Sequence, residues 1–91
     1  MSTEQETFEA LKYRIEIDRE GNKRYFDQRG RFHCEEGPAI VYADGSASYY
    51  KHGLRHRLDG PACLWLKDKK WFIDGVELTE EEFNEYRARN F

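Results

Sequence analysis

Long apolar runs are missing from this sequence, and so is a hydrophobic leader. No stretch approaches the ~20 residues that a membrane-spanning helix needs. The opening Met1-Ser2-Thr3-Glu4-Gln5-Glu6 has neither the basic start nor the apolar run of a secretion signal. Only two cysteines occur, Cys34 and Cys63, so a disulfide-dense scaffold is excluded. The expectation is a non-membrane protein of a reducing cytoplasm, with Cys63 a small buried hydrophobe and no disulfide. A basic field is missing as well: net charge is −3, which argues against a general nucleic-acid binder. No glycine-rich phosphate loop and no Cys-x-x-Cys pair occur, and Ser46 and Ser48 lack a nucleophile-elbow context. A non-enzyme without cofactor or metal is the reading that follows.

What the chain does have is rings and charge. Hydrophobic residues make up 38% of its 91 positions, below the usual ~45–50%, yet aromatics reach 15%. Each buried ring contributes roughly 150–250 Å² of apolar surface, so a few can build the thin core of one small domain, residues 1–91. Charge is segregated. Residues 1–10 carry three Glu and no base, and residues 77–85 carry five Glu and no base. Between them, Lys51, Arg55, Arg57, Lys67, Lys69 and Lys70 oppose Asp59 and Asp68.

One pattern is written twice. Gly30-Arg31-Phe32-His33-Cys34-Glu35-Glu36-Gly37-Pro38-Ala39 recurs 23 residues later as Gly53-Leu54-Arg55-His56-Arg57-Leu58-Asp59-Gly60-Pro61-Ala62. The pairs Tyr25-Phe26 and Tyr49-Tyr50 precede the two copies, and a truncated third begins at Trp71-Phe72-Ile73-Asp74-Gly75. Repeats of this length indicate stacked supersecondary units.

Period-two alternation starts at Tyr13, with Ile15 and Ile17 between Arg14, Glu16 and Asp18, and predicts a strand. Glu20-Gly21-Asn22 is a turn, and Lys23 to Asp27 returns. The same grammar predicts strands over 39–42 and 47–51 about Asp44-Gly45, then over 62–66 and 70–73 about Lys67-Asp68-Lys69, with a short strand at 76–78. Thr79 to Glu82 is a capping box that opens a helix over 79–89. Residues 1–12 form either a short helix or a tail. The expected fold is mainly β: an antiparallel meander of consecutive β-hairpin repeats over 13–78, closed by a C-terminal capping helix. Gly37 and Gly60, each before a proline (Pro38, Pro61), are expected to take backbone conformations that a side chain forbids.

The second copy, Tyr49-Tyr50-Lys51-His52-Gly53-Leu54-Arg55-His56-Arg57-Leu58-Asp59-Gly60-Pro61-Ala62, resembles repeats of small bacteriophage proteins. More distantly it is similar to MORN-type hairpin repeats and to the YwqK-like repeats of bacterial antitoxin proteins. The first copy departs from the pattern at Cys34, where Arg is usual, and at Glu36, where Asp is usual. The resemblance covers about residues 13–83. It implies a sheet of hairpins, residence in the host bacterial cytoplasm, and a role as a phage accessory protein that evades host defence.

The candidate residues divide into two groups. His33, Gly37, Pro38, His56, Gly60 and Pro61 recur in register and are read as structural, each His fixing a neighbouring turn. Tyr50, His52, Arg55, Arg57 and Trp71 are the candidates for partner contact. Adjacent strand residues face opposite ways, so Tyr25, Tyr49 and Trp71 are expected on one face and Phe26, Tyr50 and Phe72 on the other, one row in the core and one available as an interface. Arg57 and Asp59 are expected to pair at the surface. The functional expectation is a non-enzymatic protein that binds and inhibits a host protein, such as a defence toxin or nuclease. RNA binding by the basic, aromatic second copy is the alternative, as is a structural or accessory role in the virion. An open sheet edge or face also invites a homodimer.

Overall fold

The computed structural model describes residues 13–91; the expectation for residues 1–12 lies outside the described residues. Among the described residues, nine strands and one helix follow in order: β1 (Arg14–Ile17), β2 (Lys23–Phe26), β3 (Ile40–Val41), β4 (Ala47–Ser48), β5 (Tyr50–Lys51), β6 (Leu54–Arg55), β7 (Cys63–Trp65), β8 (Asp68–Ile73), β9 (Val76–Leu78) and α1 (Glu80–Asn90). The main sheet runs β1-β2-β3-β4-β7-β8-β9, and β5-β6 is a separate hairpin between β4 and β7. Every pairing is antiparallel. The protein is a mainly β meander of hairpins with a C-terminal helix.

The repeat is visible in the backbone bonds. Tyr25 N–H donates to Ala39 O, and Tyr49 N–H to Ala62 O, both at 2.7 Å. His33 N–H donates to Tyr25 O and His56 N–H to Tyr49 O, both at 3.1 Å. Gly53 N–H reaches Phe32 O and Gly75 N–H reaches Arg55 O, both at 2.8 Å. Each unit is therefore a hairpin in the main sheet followed by a second hairpin turned out of it. The bridge Phe26↔Phe32 and the pair β5-β6 are these outer hairpins in the first two units, while in the truncated third unit the equivalent pairing, Phe72 and Ile73 with Glu77 and Val76, stays in the main sheet as β8-β9. Tight turns at their tips need positive φ at two positions, which is why Asn, Asp and Gly favour them. His52 (φ 48) with Gly53 (φ 88), and Asp74 (φ 50) with Gly75 (φ 83), meet that need.

Several expectations are corrected here. The predicted strand 47–51 is interrupted at Tyr49, because Tyr49 bonds both forward to Ala62 and to His56, which turns the chain from one sheet into the next hairpin. The predicted turn at Lys67-Asp68-Lys69 falls at Leu66-Lys67, since Trp65 pairs with Asp68. Gly37 and Gly60 do not adopt positive φ. Gly60 is constrained by space instead: a Cβ there would lie 3.1 Å from the Arg57 guanidinium carbon, whereas nothing stands within 4 Å of one at Gly37.

The core is thin and stepped along the stack. Ala39 and Ala62 are fully buried under the strand entries, with Ile40 and Cys63 beside them at equivalent positions. Cys63, Ala62 and Phe72 form a cluster against which Tyr49 and Trp65 pack. Burial raises the pKa of the Cys63 thiol, and both Cys34 and Cys63 are free. The helix packs on β8 and β9 and buries Phe83. Its start is fixed by the capping box: Glu82 N–H donates to Thr79 Oγ1, and Thr79 N–H to Glu82 Oε1.

Candidate functional site

Two histidines lock the stack. His52 N–H donates to His33 Nδ1 at 3.0 Å, and Asp74 N–H donates to His56 Nδ1 at 2.9 Å. Both donors are the first positive-φ residue of the next tip turn. An acceptor nitrogen cannot carry a proton, so each ring holds its hydrogen on Nε2. Phe32 O takes the following N–H of the Gly53 turn, as Arg55 O takes that of Gly75. The imidazole thus completes the hydrogen bonding of a turn whose own geometry leaves that N–H without a ladder partner.

The first of these latches is elaborated. His33 and His52 stack with centroids 3.8 Å apart and planes at 11°. Asp27 Oδ2 accepts from His52 Nδ1 at 2.9 Å and from Arg31 Nε at 2.9 Å, while Oδ1 accepts from the N–H groups of Arg29 and Arg31. A carboxylate only accepts, so His52 Nδ1 carries the proton, and the Arg31 Nη2 lying 3.4 Å away cannot donate to it. The bond from His52 first, with those from the Arg31 and Arg29 backbone and the Arg31 side chain, holds the Asp27 carboxyl well below the usual carboxylate range against its burial. His52, expected as a contact residue, is in this way also part of the stack.

Arg57 and Asp59 do pair, at 2.7 Å, but Arg57 does more. Its Nη1 donates to Pro61 O at 3.2 Å, and its guanidinium lies 4.0 Å over the Tyr49 ring. It braces the Gly60-Pro61 connection on the ring beneath and lowers the Asp59 carboxyl's pKa. In the first unit Cys34 has no such charge. Tyr13 takes its place: the Tyr13 hydroxyl donates to Glu36 Oε1 at 2.7 Å, accepts from Glu35 N–H, and its ring meets Tyr25 edge-on at 5.8 Å. Burial, then the bond to Glu36, pushes the Tyr13 hydroxyl up to about 12.

Between the two Gly-Pro connections lies a groove of about 430 Å³, lined by His33 to Gly37 on one side, His56 to Asp59 on the other, and Tyr49, Tyr50 and Lys51 at its floor and rim. Of the five residues expected to make contact, Tyr50 and Arg57 line this groove. His52 faces a second depression with Asp27, Arg29 and Arg31. Arg55 is committed inward, bonded to Tyr50 Oη and within 5.4 Å of the Phe72 ring centre. Trp71 lines a third, between β8, β9 and the start of α1. The candidates therefore do not form one site. The exposed aromatic row is also corrected: the paired rings are buried or half-buried, and Arg57, Arg55, Lys23 and Arg14 lie over the faces of Tyr49, Tyr50, Tyr25 and Phe26. Sequence reasoning missed Lys51 and Leu58 of the groove, since neither recurs in the first copy and only the fold brings them together.

Among the described residues no group of three or more His, Cys, Asp and Glu side chains could hold a metal ion. No helix there is long and apolar enough to cross a membrane. No family model, curated protein or solved structure matches the chain.

Proposed function

We propose that this is a non-enzymatic binding protein of the bacteriophage type, which takes a host protein in the groove between its two Gly-Pro connections and inhibits it. The groove carries the reading. It combines an apolar side chain (Leu58), two tyrosines, both signs of charge and a braced rim. Tyr and Arg at the centre of a concave, ordered patch are the commonest anchors of protein contacts. The ring faces of Tyr49 and Tyr50 have arginines over them. That occupancy weighs against stacking of RNA bases and favours a protein partner. The resemblance of residues 49–62 to phage repeats supports a host target, a defence toxin or nuclease being the class that such a protein would block.

The test is capture from bacterial lysate, with and without nuclease, followed by binding of the purified captured protein to variants. Lys51→Glu and Leu58→Asp change groove residues, and Lys67→Glu changes the β7-β8 turn outside it. Loss of binding with the first two and retention with the third is the expected result. Capture that vanishes with nuclease, together with affinity that falls steeply with salt, would instead support RNA.

A further inference from the structure

We propose that the β1 edge of the sheet is a self-pairing interface, through which a second copy of this chain docks antiparallel with the two-fold axis at Ile15. This does not depend on the host-partner reading.

The direction of the backbone groups comes first. In β1-β2, Ile15 stands opposite Tyr25, and Arg14 and Glu16 stand opposite Phe26 and Arg24. Tyr25 N–H donates to Ala39 O and Tyr25 O accepts from His33 N–H, so both its groups point away from β1. At the other end of the hairpin, Asp18 N–H donates to Asn22 O. Ladder bonds alternate along an antiparallel pair. Arg14 and Glu16 thus spend their backbone groups on β2, while Ile15 and Ile17 direct theirs outward. Among the described residues no strand lies beyond β1. All four of its residues are exposed.

The side chains then choose the occupant. Opposite residues in an antiparallel pair share a face, so a copy can be centred only on a residue and not between two. Centred on Ile15, the outward N–H and C=O of Ile15 exchange both bonds with those of its copy. Ile15 meets Ile15, and Arg14 meets Glu16 of the copy, twice by symmetry. Arg14 and Glu16 side chains are 61% and 50% exposed and within 3.7 Å of one another on one face, so they are available for this exchange. Centred on Glu16, the same edge would set Glu16 against its own copy. The opposite edge fails in the same way, because pairing β9 about Glu77 places like charges face to face. Alternating charge normally protects an edge strand from association. Here the alternation is of opposite sign and becomes self-complementary. The result is a closed, isologous dimer with one continuous sheet.

Sedimentation over a wide concentration range tests the claim, with circular dichroism to verify the fold of each variant. A reversible monomer–dimer equilibrium is expected. Arg14→Glu should weaken it about tenfold by turning two attractive pairs repulsive, and Arg14→Glu with Glu16→Arg should restore it. Ile15→Pro should abolish it while leaving β1-β2 intact, since that N–H makes no bond to β2 or to any other described residue. In mixed isotope-labelled samples, contacts between Ile15 methyl groups of different molecules should appear. A monomer at all concentrations, a dimer indifferent to Ile15→Pro, a charge swap that fails to restore pairing, or open-ended filaments from head-to-tail pairing would overturn the proposal.

Discussion

His33 lies flat against His52, with ring centres 3.8 Å apart, and accepts the His52 backbone N–H on Nδ1 at 3.0 Å. One histidine therefore holds the next turn by its edge and its face together. The corresponding bond from Asp74 to His56 repeats the edge contact without the stack. The recurrence of histidine before each Gly-Pro is explained by architecture, each unit gripping the tip of the following one.

Removing these latches should have unequal effects. His33 is buried (5% of its side chain exposed), whereas His56 is at 14% and its donor sits at an exposed turn that water can reach. His33→Ala should destabilise by about 2 kcal/mol, through the loss of a buried ring's packing together with its bond to a part-buried N–H. His56→Ala should cost under about 1 kcal/mol, because water replaces the ring. Thermal melts separate these, since 1 kcal/mol moves the midpoint of a domain this size by roughly 4–8 °C.

Asp27 makes the stack sensitive to acid. Its folded pKa lies below its unfolded value, so its contribution is complete above the ordinary carboxylate range and is lost as pH falls through that range toward the folded value. Asp18, Asp44 and Asp59 are shifted the same way, chiefly by bonds from Asn22, from the Ser46 backbone and from Arg57. Asp27→Asn should lower the melting temperature at neutral pH. The gap from the parent should close as pH is lowered below about 4. A gap that stays constant over that titration would show that the charge of Asp27 is not what holds His52 and Arg31.

The glycines separate two kinds of constraint. Gly53 has φ 88 and packs on Arg31, where a Cβ would come within 3.5 Å of the Arg31 Cβ. Gly53→Ala should destabilise by about 1–2 kcal/mol, the cost of a side chain in the left-handed region. Gly37→Ala meets no atom and no positive φ. It should be neutral or stabilise by up to about 1 kcal/mol through the unfolded chain. Urea titration of the two variants checks the contrast.

Tyr13→Phe removes the donor that stands in for the missing arginine of the first unit. Glu36 would lose a bond partner at the Gly37-Pro38 connection, and a loss of about 1–2 kcal/mol is expected. Arg57→Leu should act likewise on the second connection. If Tyr13→Phe were silent in denaturant titrations, Tyr13 would be packing rather than substituting for Arg57.

The hairpin order, the capping box at Thr79 and the repeat itself were legible because each rests on local chemistry: alternation, turn residues, and a side chain reaching three residues ahead. The break at Tyr49 was not legible, since alternation runs straight through Ala47 to Lys51 and only the long-range bonds to Ala62 and His56 interrupt it. Gly37 and Gly60 misled for a related reason. Proline following glycine suggests an unusual backbone, but here Gly60 leaves room for Arg57, Gly37 meets no neighbour, and the positive-φ positions are the tip turns. Tyr13 had no repeat signal to mark it, because it fills in the first unit a role that arginine fills in the second. The groove is likewise assembled from two connections 23 residues apart in sequence.

The latch itself can be observed. A hydrogen bond from a backbone N–H to an imidazole nitrogen carries a scalar coupling between the two nitrogens, measurable by NMR on labelled protein. Couplings from His52 N to His33 Nδ1 and from Asp74 N to His56 Nδ1 are expected, with both histidine rings protonated on Nε2. Rings protonated on Nδ1, with no coupling across either pair, would contradict the account of the repeat as a chain of histidine-locked turns.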